Sequence, residues 1–193
     1  MRKYARVASA LALGAGYSLY RARDVKSSVL RAIFGGLATF AVGLTATAVI
    51  AGEWLRLQAC PLCIFQRLLY LLIAFLALAG VLLPVWSRLW SGLIGLLAVS
   101  GVATAAYQSW LQYAPEASRE CGLGEPTLIE QLVNWLGMLW PKLFMATGFC
   151  SSKEWEILGL SMANWSGFGF LGILILAVGL LNCRSVPPDS PPD

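Results

Sequence analysis

Charge is missing from four long stretches of this chain, and that absence constrains the fold more than any motif does. Residues 32–52 contain no Asp, Glu, Lys or Arg, and residues 68–87 lie between Arg67 and Arg88. Residues 89 to about 107 and about 166–181 complete the set. Each approaches the ~20 apolar residues with which an α-helix crosses a hydrocarbon core. No water reaches that core, so backbone N–H and C=O groups must pair within the segment, which a helix achieves alone. The expected fold is all-α, an integral membrane four-helix bundle with a long extramembrane loop. Composition agrees, because 58% hydrophobic and 12% charged residues with mean hydropathy +0.70 leave too little polar surface for a water-facing exterior.

Where the cations lie predicts orientation. Arg2, Lys3, Arg6, Arg21, Arg23, Lys26 and Arg31 precede the first span. The apolar run from Val7 to Tyr20 is short and rich in Ala and Gly, and no convincing small-x-small cleavage site precedes Arg21, so residues 1–31 read as a basic interfacial or loosely ordered cytoplasmic extension in preference to a signal segment or an extra span. With Arg88 and Arg184, nine Lys/Arg fall on that side, against Arg56, Arg119, Lys142 and Lys153, four in all, on the other. The positive-inside rule then puts both termini in the cytoplasm, residues 183–193 forming a Pro-rich tail. Loops at about 52–63 and 108–165 face outward. The net charge of +4 is not gathered on a soluble domain, which argues against a nucleic-acid partner.

This topology sorts the five cysteines. Cys60, Cys63, Cys121 and Cys150 share the outer side, which in bacteria is the oxidising one. Cys183 faces the cytoplasm and reads as an unpaired thiol. Within the long loop, Leu128, Ile129, Leu132, Val133, Leu136 and Leu139 recur at helical spacing. They predict an amphipathic helix at the membrane surface, or one packed within a small loop domain.

The chain has no histidine, so any redox chemistry rests on cysteine, carboxylate, arginine and backbone. Cys60-Pro61-Leu62-Cys63-Ile64-Phe65-Gln66-Arg67 offers three readings: a redox dithiol, half of a zinc site, or an inert pair. A zinc ribbon needs a second close Cys or His pair, and Cys121 and Cys150 are far apart in sequence. Placement favours the dithiol. A helix starting near Cys63 points free N–H groups and its dipole at the sulfur, with Arg67 one turn on. The plainer reading of Arg67 is a snorkelling residue at the membrane boundary. A surface disulfide needs a terminal oxidant, yet no dinucleotide fingerprint or haem attachment motif is present. A lipid-soluble quinone can arrive laterally through the bilayer, with its ring at the mouth of the second helix.

The octapeptide, followed by Cys121, by Met145-Ala146-Thr147-Gly148-Phe149-Cys150 and by Trp155-Glu156-Ile157-Leu158-Gly159-Leu160-Ser161-Met162, resembles the DsbB family of bacterial membrane disulfide oxidases. The resemblance runs from about residue 32 to 181. It implies an inner-membrane enzyme that reoxidises a periplasmic DsbA-like thiol oxidoreductase and passes the electrons to ubiquinone or menaquinone. Residue by residue, it makes Cys121 the site attacked by the reduced partner and Cys150 its disulfide mate. Cys60 then exchanges with that pair, while Cys63 hands electrons to the quinone beside Arg67. Relatives often carry a histidine near the end of the third span. Around Tyr107, Gln108, Ser109 and Trp110 there is none, so Gln108, Ser109, Gln112, backbone or water is expected to meet the quinone carbonyl. Two rivals share parts of the pattern: a quinone-linked enzyme of the vitamin K epoxide reductase type, and a structural membrane protein with a cysteine zinc site or static disulfides.

Overall fold

A computed structural model describes residues 2–56, 58–113, 127–148, 156–157 and 159–182, with side-chain placement beginning at residue 28. Helix α1 runs Arg2–Trp54, α2 Pro61–Leu82, α3 Ser87–Tyr113, α4 Leu128–Leu139, α5 Pro141–Phe144 and α6 Met162–Asn182. A 3₁₀ turn, Pro84–Trp86, joins α2 to α3. Four helical segments among the described residues are long and apolar enough to cross a membrane: Ser28–Trp54, Pro61–Leu82, Pro84–Tyr113 and Met162–Asn182. The four-span expectation holds, with boundaries that move in informative ways.

The second helix starts at Pro61 and not at residue 68, because the chain caps it locally. Cys60 is the N-cap, its sulfur accepting from the Cys63 N–H, and Pro61 takes the first helical position, where a missing N–H costs nothing. The third helix continues through Gln108 and Ser109 to Tyr113, past the expected end near 107. Both polar side chains find partners inside the bundle, so nothing forces the helix to stop. At the other end, α1 is one continuous helix from Arg2. No Gly or Pro interrupts residues 21–31 to separate the basic segment from the first span.

All four long helices contribute to one core, in which Phe34 from α1, Ile73 from α2, Ile94 from α3 and Phe170 and Ile173 from α6 are fully buried. Phe170 stacks on Tyr70 with centroids 4.0 Å apart and 11° between planes. Its ring also lies against α3 at Gly101, where a Cβ would run into it. Phe170 is therefore a core residue. Phe168 and Trp165 are exposed and meet edge to face at 6.2 Å. Phe75, Leu78, Leu96 and Ile175 point outward, as suits a bundle solvated by hydrocarbon.

In the long loop, α4 begins with a capping box: Thr127 accepts from the Glu130 N–H, and the Glu130 carboxylate accepts from the Thr127 N–H at 2.8 Å. Val133 is fully buried with Ile64 and Phe144, and Ile129 and Leu136 pack beside them. The amphipathic helix is thus docked on α2 and is not a separate loop domain. Leu128, Leu132, Trp135 and Leu139, on an adjacent stripe, remain exposed. A two-residue hairpin, β1 Glu156–Ile157 with β2 Leu160–Ser161, leads into α6 and is the one departure from an all-helical chain among the described residues.

Candidate functional site

The octapeptide folds so that its two sulfurs meet at the top of α2. Cys60 Sγ donates to Cys63 Sγ at 3.0 Å and accepts from the Cys63 N–H at 3.3 Å, and both residues are thiols here. The i to i+3 spacing across an N-cap brings the side chains onto one turn. Cys60 is 3% exposed and packs with Leu62 and Leu111, with Ile129 of α4 over them. Cys63 is only partly buried.

Polar side chains from two helices surround the sulfurs. Gln108 Nε2 of α3 donates to Cys63 Sγ at 3.0 Å and to Cys60 Sγ at 3.4 Å. Gln66 Nε2 in turn donates to Gln108 Oε1 at 3.0 Å, and both glutamines are buried.

Beside Cys63 a cavity of about 300 Å³ opens between α1, α2 and α6. Leu44 and Ala48 of α1 and Met162 and Trp165 of α6 give it apolar walls, while Thr45, Gln66, Arg67, Tyr70 and Ser166 bring polar atoms to it. Arg67 Nη2 donates to the Ala48 carbonyl at 3.2 Å, which pins the guanidinium between α1 and α2. Five N–H donors on one guanidinium exceed what a single carbonyl accepts. Tyr70 Oη donates to the Ser166 carbonyl at 2.8 Å. The volume is at the lower end of the ~300–1,000 Å³ range of small-molecule sites.

Cys60, Cys63 and Arg67 therefore come together as expected. Cys121, Cys150 and Cys183 lie outside the described residues. Of the groups expected to meet a quinone carbonyl in place of the histidine, Gln108, Ser109 and Gln112 do not line this cavity. Gln108 turns to the sulfurs. Ser109 Oγ donates to the Ala105 carbonyl and to Asn164 Oδ1 at 2.7 Å, tying α3 to α6. Gln112 Oε1 is buried with no partner among the described residues. Gln66, Tyr70 and Thr45 were missed. A readable signal was there for Gln66, since a buried amide within a membrane span must face another polar group.

The loop also reaches this site. The N–H groups of Thr147 and Gly148 donate to the Ala59 carbonyl at 2.9 and 3.1 Å, next to Cys60. Gly148 is required there: a Cβ would meet the carbonyl of Gln58.

Comparison with known proteins places this arrangement. Residues 30–180 match the family described as disulfide bond formation protein DsbB. Disulfide bond formation protein B of Dechloromonas aromatica (strain RCB) is 52% identical over 149 residues, covering 77% of this chain and 90% of the relative. The proteins of the same name from Azoarcus sp. (strain BH72) and Nitrosomonas europaea are each 35% identical, over 159 and 161 residues; both alignments cover 81% of this chain, with 95% and 96% of the relatives. With its four apolar helices, its capped Cys-x-x-Cys and a match across all four spans, the chain belongs to the DsbB family of quinone-linked membrane disulfide oxidases.

Proposed function

We propose that the chain oxidises a periplasmic DsbA-like thiol oxidoreductase and delivers the electrons to ubiquinone or menaquinone, with Cys60, Cys63, Cys121 and Cys150 as redox thiols and Arg67 beside the quinone. The supporting observation is the double placement of Cys63. Its sulfur lies 3.0 Å from Cys60 Sγ, and the same residue lines the cavity with Arg67. Electrons entering at Cys60 have one residue to cross before a space bounded by membrane helices.

The cavity suits a quinone head group. Leu44, Ala48, Met162 and Trp165 supply apolar surface for a ring, and the Arg67 N–H groups supply donors for a carbonyl oxygen. A quinone, when bound, takes up two electrons and two protons. Arg67 holds positive charge one helical turn from Cys63, where the sulfur of a broken Cys60–Cys63 disulfide leaves with negative charge.

Upstream, a thiolate of the reduced partner attacks Cys121, breaking a Cys121–Cys150 disulfide and releasing Cys150 as thiolate. Cys150 then attacks Cys60 and releases Cys63. Docking of Thr147 and Gly148 on Ala59 supports this order, since Cys150 is two residues beyond Gly148, at most about 7 Å of extended chain. The cation asymmetry supports a periplasmic site and cytoplasmic termini, and the charge-free runs support a layout of extension 1–31, membrane domain 32–182 and tail 183–193.

The test is Cys63→Ser in proteoliposomes containing quinone. Reduced partner should still form a mixed disulfide at Cys121 but should no longer reduce quinone; undiminished turnover refutes the reading.

A further inference from the structure

Two glutamines occupy positions where a membrane bundle gains little from amides. Gln66 and Gln108 are 4% and 3% exposed, and burying an amide costs free energy unless its hydrogen bonds are made. Here the bonds are made in one direction. Gln66 gives its N–H to Gln108 Oε1, which turns the Gln108 NH₂ toward the sulfurs. Its two N–H donors then serve two acceptors, Cys63 Sγ and Cys60 Sγ.

We propose that Gln108 is a catalytic residue that sets the oxidising strength of the Cys60–Cys63 pair, and that Gln66 is its positioning residue. This rests on Cys60–Cys63 being a redox pair. The reduced pair places two protonated or anionic sulfurs among Leu62, Leu111 and Ile129, and sulfur in that form accepts hydrogen bonds better than sulfur in a disulfide. Donors fixed on both sulfurs therefore favour the reduced form, and in apolar surroundings each bond counts for more than in water. A dithiol whose reduced form is stabilised is a stronger oxidant once oxidised. An amide does this without adding another buried charge, whose desolvation would offset the gain. Gln108 does not line the cavity, so its effect falls on the sulfurs.

The experiment isolates this pair in the full-length chain carrying Cys121→Ser, Cys150→Ser and Cys183→Ser, held in micelles with a large excess of glutathione buffer. Oxidised glutathione loses its S–S bond, the Cys60–Cys63 bond forms, and two thiol protons pass to two glutathione molecules. Acid quenching, alkylation and mass spectrometry give the oxidised fraction. Gln108→Met should shift the equilibrium about tenfold toward the Cys60–Cys63 disulfide, equal to about 30 mV. Gln66→Met should shift it the same way by a smaller factor, and the double variant no further than Gln108→Met. A Gln108→Met equilibrium within twofold of the parent overturns the proposal. Should circular dichroism show that Gln108→Met is not folded, the Gln66→Met shift decides by the same criterion. A parent that forms no Cys60–Cys63 disulfide removes the underlying reading, and the proposal with it.

Discussion

Gly148→Val tests whether the loop is delivered to the redox pair by its backbone. A Cβ at this position meets the Gln58 carbonyl, with the Gln58 carbonyl carbon 2.8 Å and its Cβ 3.0 Å away. The nearest atoms are backbone, so a rotamer change cannot relieve the clash, and the segment must lift. Lifting removes the Thr147 and Gly148 N–H bonds to Ala59. At about 1 kcal/mol net per hydrogen bond, the docked loop loses about 2 kcal/mol. With tenfold per ~1.4 kcal/mol, docked population falls roughly 25-fold if the undocked form dominates. Electron transfer from the loop pair to Cys60–Cys63 should slow by a similar factor. The assay is rapid mixing of reduced partner with reconstituted enzyme, acid quenching, and mass-spectrometric scoring of each cysteine pair. Mixed disulfide should still form at Cys121 at the parental rate, while reduction of Cys60–Cys63 lags. A variant that reduces Cys60–Cys63 at the parental rate refutes the docking argument.

Other outcomes follow from the same geometry. Arg67→Met keeps the apolar stem and removes the donors; losing a charge-assisted bond of about 1.5–3 kcal/mol should lower kcat/KM for quinone about 10- to 150-fold, and an unchanged value would return Arg67 to a snorkelling role. Gly101→Leu should destabilise the bundle by at least about 1–3 kcal/mol by driving a side chain into Phe170. A detergent titration followed by circular dichroism reads that loss, and Phe170→Ala in the same chain should recover part of it, whereas strictly additive losses would place the strain elsewhere.

The spans were legible because lipid imposes one solution on an apolar run of this length. Their ends were less so. Hydropathy alone placed the start of the second helix at Leu68, whereas the N-cap sulfur of Cys60 and Pro61 at the first position start it a full two turns earlier. The helix carries Arg67 at its seventh position in consequence. Gln108 illustrates the opposite limit. Its type and place in the chain mark it as polar near a membrane boundary, but only packing reveals that it faces Cys60 and Cys63 and not the cavity. The meeting of the two sulfurs was readable from spacing, since an i to i+3 pair across a helix start brings both side chains onto one turn. The Gly148 contact with the Gln58 carbonyl had no counterpart in the sequence pattern, because it joins segments ninety residues apart.

Cys60 and Cys63 differ most in what can touch them. Cys60 is covered by Leu111 and by Ile129 of α4, and Cys63 opens on a cavity walled by membrane helices. Viewed as wiring, the pair is an insulated conductor with one terminal in the bilayer and the other under a cover. On the proposed reading, a small soluble thiol meets a covered sulfur at Cys60 and reaches Cys63 only past the helices that wall its cavity, so direct exchange with the pair is slow. Under the proposed role, the enzyme's own loop closes the circuit at Cys60, which favours proteins that can engage that loop over small thiols.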